Sequence, residues 1–336
     1  MTTPQFYQLH DSTSPAVLTA IRSELTAGLL ATRTAVSPKY LYDALGSRLF
    51  DAITELPEYY PTRTEGAIIA QHLPEMAKQI PKGAALIDLG AGSCEKAERL
   101  FETLQPAHYI PIDISVDYLR QTVECLQRQF PAMRMSGVGL DFSTELKLPP
   151  ELSAQIKGLP IVVFYPGSSI GNFAPDDACA LLSRAQVLCQ QGAAGSGLLI
   201  GVDLTKASEI LEPAYDDALG VTASFNLNML LNINHLIGTD FDPKDWQHVA
   251  FFDRELSRIE MHLQAKHDLT VIWPGHMRHF KRGEDIHTEN SYKWTVAGFA
   301  QLLQSAGFAA PASYTDSKDW FSVHWAQSGS APSPAV

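Results

Sequence analysis

The sequence contains no paired cysteines of the kind that build zinc or redox centres. Its four cysteines, Cys94, Cys125, Cys179 and Cys189, form no C-x-x-C, and they read as free thiols of a reducing compartment. No apolar run reaches the ~18 residues needed to span a bilayer. The opening MTTPQFYQLHDS lacks the basic and apolar regions of a secretion signal. Positive charge is also scarce: 25 Lys and Arg face 37 Asp and Glu, a net charge of −12 at pH 7. A nucleic-acid binder needs a basic surface for phosphates, so that partner is disfavoured. These absences lead to the expectation of a soluble, cytoplasmic protein with no membrane and no nucleic-acid partner; a monomer is the expected state.

The 336 residues are 45% hydrophobic and 18% charged, enough for a large core or two unequal domains. Ser14-Pro15 is a helix start, followed by Val17, Leu18, Ile21, Leu25 and Leu29 at helical spacing. A second helix is expected over Asp43 to Thr54. Irregular backbone through LPEYYPTRTE follows, then a helix from about Thr64. From Ala84 short apolar runs alternate with amphipathic stretches: AALID, HYIPIDI, MRMSGVGLDF, PIVVFYPGSS and GLLIGVDL. That alternation indicates βαβ units and a mostly parallel sheet. It stops after Asp203 and resumes with TVAGFAQLLQSAGF and WFSVHWAQ. Between them, RIEMHLQAK and DLTVIW read as the arms of a hairpin. The small, Pro-rich end, residues 329–336, reads as a disordered tail.

Asp88-Leu89-Gly90-Ala91-Gly92-Ser93 has a D-x-G-x-G form between a strand and a helix. Asp113 lies near the end of the next strand, close to the ~20-residue offset of a ribose-binding acid. Two nucleotide ligands fit this layout. A dinucleotide site usually carries a third glycine, but Glu95 stands there. S-adenosylmethionine needs no diphosphate cradle, and Leu140-Asp141-Phe142 offers an acceptor for an adenine amino group beside an aromatic packing surface. Methyl transfer is therefore favoured over hydride transfer.

Several further stretches occur together and in order: KYLYDALGSRLFDAITELPEYYPTRTE, LIDLGAGSCEKAERL, PGSSIGNF, AYDDALGVTASFN, RIEMHLQA and HTENSYKW. With them, the sequence from about Ser37 to Gln327 closely resembles the ergothioneine-pathway L-histidine Nα-methyltransferase family. The resemblance implies an α/β fold. A class I S-adenosylmethionine-dependent methyltransferase (Rossmann-like) domain, over 64–204 and 290–328, would carry an inserted α+β substrate-binding domain. N-terminal helices would complete that second domain, over 10–63 and 205–289. The implied activity is trimethylation of the α-amine of free L-histidine to hercynine, with S-adenosylmethionine as methyl donor and no metal.

Carried over by position, Gly90, Lys96, Asp113, Asp141 and Phe142 would hold the cofactor. Asn172 and Tyr215 would fix the amino-acid backbone groups, and Tyr59 would contact the substrate. Tyr42 would lie near the amine as the catalytic residue. Glu289 and Ser291 would bind the imidazole, with Met261 packing nearby. In an extended strand Glu289 and Ser291 share a face. The alternative is the same chemistry on another aromatic amino acid such as tryptophan. Glu289 argues against it, because a carboxylate facing an indole leaves hydrogen-bonding capacity unused. His276-x-x-His279 is the one metal-like spacing, but it lacks a carboxylate partner set, and the chemistry needs no Lewis acid.

Overall fold

The structure, a computed structural model, describes residues 3–9 and 14–329. Its strands in chain order are β1 (Gln5–Gln8), β2 (Ala85–Leu89), β3 (His108–Asp113), β4 (Arg134–Gly139), β5 (Ile161–Tyr165), β6 (Gly197–Asp203), β7 (Trp246–Asp253), β8 (Arg258–Ala265), β9 (Leu269–Trp273), β10 (His276–Phe280), β11 (Asp285–Tyr292), β12 (Ala312–Thr315) and β13 (Phe321–Gln327). The chain divides into two compact units. The first comprises 1–10, 61–205 and 293–336, and the second comprises 11–60 and 206–292.

The first unit is built on an eight-stranded sheet of order β1-β4-β3-β2-β5-β6-β13-β12. β1 to β6 pair in parallel, while β13 runs antiparallel to β6 and to β12. The strand order reverses direction between β2 and β5, and ligands of open α/β sheets bind at such a switch point. β2, β5 and β6 are buried at every residue, which explains their unbroken apolar runs. The helix Glu95–Leu104 lays Ala97, Leu100, Phe101 and Leu104 onto the core at helical spacing. This is a class I methyltransferase fold with a mostly parallel central sheet. Strand β1, unforeseen in the polar N-terminus, pairs along β4 and extends the sheet edge.

Lys293 and Asp203 close the first unit around the point where the chain departs and returns. Lys293 Nζ lies 2.8 Å from Asp203 Oδ2, both fully buried. Trp294 N donates to the Asp203 carbonyl, and Thr205 N to the Trp294 carbonyl.

The second unit holds a three-stranded antiparallel sheet, β11-β8-β7, and a separate β9-β10 hairpin. Its main helices are Pro15–Leu30, Ala44–Thr54 and Val221–Ile237. Ser14 Oγ and Asp43 Oδ1 cap the first two by accepting from Val17 N and Gly46 N. The expected hairpin of RIEMHLQAK with DLTVIW is not what forms. Both segments are strands, but β8 is the centre of its sheet, and β9 pairs with β10 across Pro274-Gly275. Gly275, at φ +82°, supplies the left-handed residue of that turn. Trp246–Asp253 and His276–Phe280, not read as strands, took the two partnerships. LPEYYPTRTE also differs: Tyr60 already opens the helix Tyr60–Met76, with Pro61 in its first turn. Residues 330–336 of the expected tail lie outside the described residues. Among the described residues no helix is long and apolar enough to cross a membrane.

Candidate active site

In the first unit the loop after β2 is shaped by left-handed backbone. Gly90 and Gly92 have φ of +67° and +49°, and Cys94 shares the conformation at +62°. Asp113, at the end of β3, accepts from Gly92 N at 3.0 Å and from Ser115 N at 2.9 Å. It therefore fixes the glycine loop itself, and a carboxylate's remaining lone pairs can serve a ribose. A Cβ on Gly90 would point at the Phe142 ring, 3.9 Å away. The Phe142 ring meets Tyr165 edge-on at 5.7 Å. Asp141 Oδ1 accepts from the backbone and hydroxyl of Ser143, which turns the chain after Leu140.

Two acids in this unit stand outside the expected site residues: Glu65, and Asp88 at the head of the glycine motif. Glu65 is 1% exposed. It accepts Lys96 Nζ at 2.9 Å and Gly167 N at 2.8 Å, so it ties Lys96 to the loop after β5. Gly167 has a φ of +80°, which favours glycine, and a Cβ there would lie 2.8 Å from Lys96 Nζ. Asp88 is 1% exposed and accepts from Tyr109 Oη at 2.7 Å. Its other oxygen has no protein partner. Burial above all pushes its carboxyl up to about 7; Tyr109 and Lys96 pull against this, and Asp113 and Glu65 add to it. Asn172 ends the 3-10 turn Ser169–Asn172 and belongs to this unit with the cofactor residues. The open glycine loop, the Phe142 ring beside Gly90 and the Asp113 carboxylate bound to Gly92 fit S-adenosylmethionine.

In the second unit the expected substrate residues gather on one face of the β11-β8-β7 sheet. Glu289 pairs with Met261, and Ser291 with Ile259. The register of β11 shifts between His287 and Glu289, leaving Thr288 unpaired in the ladder. Its Oγ1 donates to the Met261 carbonyl instead. Were Thr288 paired in a regular ladder, Glu289 would share the face of His287; because Thr288 is bulged out, Glu289 lies on the face of Met261 and Ser291. All three are buried. Tyr215 Oη and Ser291 Oγ lie 2.7 Å apart, so two residues expected at opposite ends of a substrate are in direct contact.

Aromatic rings extend from Tyr215. Its ring is 6.4 Å from that of Tyr59, which is 6.1 Å from that of Phe50. Phe50 and Phe225 each stand edge-on to Tyr42, at 5.7 and 5.5 Å. Phe50 and Phe225 carry no polar group, and no sequence signal separates them from ordinary core. Asn226 and His248 also emerge only here. A signal for Asn226 existed: SFNLNMLLNINH places four asparagines in an apolar helix, where each must find a partner.

The opposite face of the sheet carries Glu260, His262 and His287, whose ligand-type atoms lie within 4.8 Å of one another. Glu260 is already engaged by the Arg258 guanidinium and by His262 Nε2 at 2.9 Å. A fixed cation on the same carboxylate opposes a divalent ion, and the group reads as an ion-pair network. His276 and His279 lie exposed on β10, against Trp273 and Thr270.

Comparison with known proteins agrees with this geometry. Residues 21–328 match the family described as "Histidine-specific methyltransferase, SAM-dependent". The chain is 36% identical to the "Histidine N-alpha-methyltransferase" of Mycolicibacterium smegmatis, covering 88% of this chain and 91% of that protein. It is 35% identical to the protein so named in Mycobacterium tuberculosis, over the same shares. "Ergothioneine biosynthesis protein 1" of Schizosaccharomyces pombe is 28% identical over 82% of this chain, which spans 36% of that longer protein. The methyl donor is S-adenosylmethionine, and the chain belongs to the SAM-dependent, histidine-specific methyltransferase family.

Proposed function

We propose that the protein methylates the α-amine of free L-histidine three times in succession. The product is hercynine, N,N,N-trimethyl-L-histidine, and the reaction is the first step of ergothioneine biosynthesis. The observation that carries this reading is the turn of Glu289, by one unpaired residue, onto the face that holds Ser291 and Met261. A buried acceptor-only carboxylate beside a hydroxyl suits a neutral imidazole, which has one donor and one acceptor nitrogen. Indole offers one donor only and would leave part of that set unpaired.

S-adenosylmethionine supplies a methyl group already activated on a sulfonium. The protein's tasks are alignment, exclusion of water and removal of a proton, so proximity is the largest contribution. Gly90, Asp113, Asp141 and Phe142 hold the nucleoside, and Lys96 fixed by Glu65 holds the charged end. An α-amine is largely protonated near neutral pH and must lose a proton before each attack. The amine lone pair forms the new N–C bond as the S–C bond breaks, and each N–H proton leaves to solvent through Tyr42 or a water beside it. After the third transfer the nitrogen has no N–H to donate. Grip on the product therefore rests on carboxylate contacts from Asn172 and Tyr215 and on imidazole contacts from Glu289 and Ser291. The rings of Tyr59, Phe50 and Tyr42 suit a nitrogen that gains a fixed positive charge.

Four thiols without a disulfide support a cytoplasmic setting, and the acidic net charge supports a monomer without nucleic acid. The decisive test is to incubate the protein with S-adenosylmethionine and each amino acid separately and to weigh the products. Histidine alone should gain three methyl groups. Activity on another amino acid only, or none, overturns the reading.

A further inference from the structure

His248 lies on β7, opposite Leu263 and two residues from Ala250, which pairs with Met261. Its side chain therefore belongs to the sheet face of Met261, Glu289 and Ser291. Both ring nitrogens are engaged. Nδ1 lies 2.9 Å from Asn226 Nδ2, and Nε2 lies 2.8 Å from the Tyr215 carbonyl oxygen.

The partners fix the proton. Asn226 Nδ2 also donates to the His262 carbonyl at 3.1 Å, and a carbonyl can only accept. The amide orientation is thereby set, so Asn226 donates to His248 Nδ1 and that nitrogen must be a bare acceptor. The single ring proton sits on Nε2, where the Tyr215 carbonyl requires a donor. Burial holds the imidazole below its ordinary range, consistent with this neutral tautomer. A protonated ring would set an N–H against the amide N–H of Asn226.

We propose that His248 is a positioning residue for histidine recognition: its Nε2–H, oriented by Asn226, holds the Tyr215 backbone so that the Tyr215 hydroxyl meets Ser291. The turn that carries Tyr215 has a second anchor on the same strand, where Phe252 N donates to Glu212 Oε1 at 3.1 Å. His248 and Phe252 stand four residues apart on β7 and pin both ends of residues 212–215. His248 does not touch the reacting atoms. Its effect passes through one carbonyl to the hydroxyl pair at the substrate, and the inference rests on the histidine reading above.

The test compares His248→Gln with His248→Asn. A glutamine amide nitrogen reaches the position of Nε2 and can donate to the carbonyl; asparagine reaches only the position of Nδ1. The expected result is that His248→Gln keeps the KM for histidine within about threefold of wild type. His248→Asn raises it roughly tenfold or more, as for a buried acceptor left unpaired, and calorimetric affinity for S-adenosylmethionine stays unchanged in both. In a Tyr215→Phe background the Asn substitution should add little further. Equal effects of the two variants, or full additivity with Tyr215→Phe, overturn the proposal. If either variant fails to fold, ¹⁵N chemical shifts of wild-type His248 decide: Nε2-protonated neutral imidazole at pH 7 supports the proposal, and Nδ1-protonated or cationic imidazole overturns it. Failure of wild-type protein to bind histidine in the same calorimeter would instead remove the functional reading and leave the tautomer result standing.

Discussion

The hydroxyl groups of Tyr215 and Ser291 lie 2.7 Å apart, joining a turn before the helix Val221–Ile237 to the last strand of the same unit. One oxygen must donate and the other accept, so each leaves the other with a defined remaining capacity for a ligand. Tyr215→Phe and Ser291→Ala should therefore be coupled. Each should weaken histidine binding, and the double variant should lose less than the sum, with a coupling of about 1 kcal/mol. Histidine titration of the four proteins checks this. Strict additivity would show that the two hydroxyls act separately.

Glu289 is buried in the β11-β8 pair, and its carboxylate is the strongest acceptor on that face. Glu289→Ala should raise the Kd for histidine by at least ~30-fold, on the scale of about 2 kcal/mol for a lost charged hydrogen bond. S-adenosylmethionine affinity should not move. The cavity left should also let larger apolar rings compete, seen as inhibition or slow turnover with tryptophan. Unchanged histidine affinity would return Glu289 to an ordinary strand position.

Glu65 joins Lys96 to the loop that begins at Gly167. Glu65→Gln keeps its shape and removes its charge. One end of a buried ion pair is then left uncompensated, a loss of about 3 kcal/mol where one partner is partly exposed, as Lys96 is. The melting temperature should fall, and S-adenosylmethionine affinity should drop about tenfold while histidine affinity is kept. A variant with normal cofactor binding would limit Glu65 to a structural tie.

Tyr42 stands edge-on to both Phe50 and Phe225 with its hydroxyl as its polar end. Tyr42→Phe should keep that packing and slow each methylation about 100-fold, the low end for a group guiding proton transfer. Single-turnover mass spectrometry resolves the three steps. Equal rates and an unchanged product distribution would take Tyr42 out of proton transfer.

Acid should weaken the first unit through two histidines. His108 and His324 are almost wholly buried, and burial holds both at about 4, below the ordinary 6.5. The folded state prefers them neutral. Their contribution is complete above pH 6.5 and is lost as pH falls toward 4, by up to about 3 kcal/mol each. Asp88 works the other way, because its folded carboxyl is raised from 3.8 to about 7 and its proton favours the folded state as pH falls through that window. Asp88→Asn removes the opposing slope. Its melting temperature should therefore fall more steeply than wild type between pH 6.5 and 4, and parallel profiles would contradict the assignment.

Much of the first unit was legible because its signals are local. AALID before Gly90 and the spacing to Asp113 sit within one βαβ unit, and strand, loop and acid are read in a few dozen residues. The second unit resists such reading. β8 finds its neighbours in strands on either side of it in the chain, so its own pattern could not say which one it would join. The turn of Glu289 depends on register, a property of two strands together. Phe50 and Phe225 look like any buried ring until their neighbours are known. Asn226 was visible as an asparagine in an apolar helix, but its partner His248 lies 22 residues away on a strand not recognised as one.

The unpaired Thr288 gives the strand an unusual kind of address. Whether the acid at 289 shares a face with Met261 and Ser291 or with the arginine and histidines behind it is decided by the register in which it pairs with β8. Substitutions along β11 adjust the strength of recognition, whereas a one-residue slip of the half-strand after Thr288 against β8 would exchange its two faces. The face that Glu289 presents is thus held by the pairing of two strands as much as by side-chain identity.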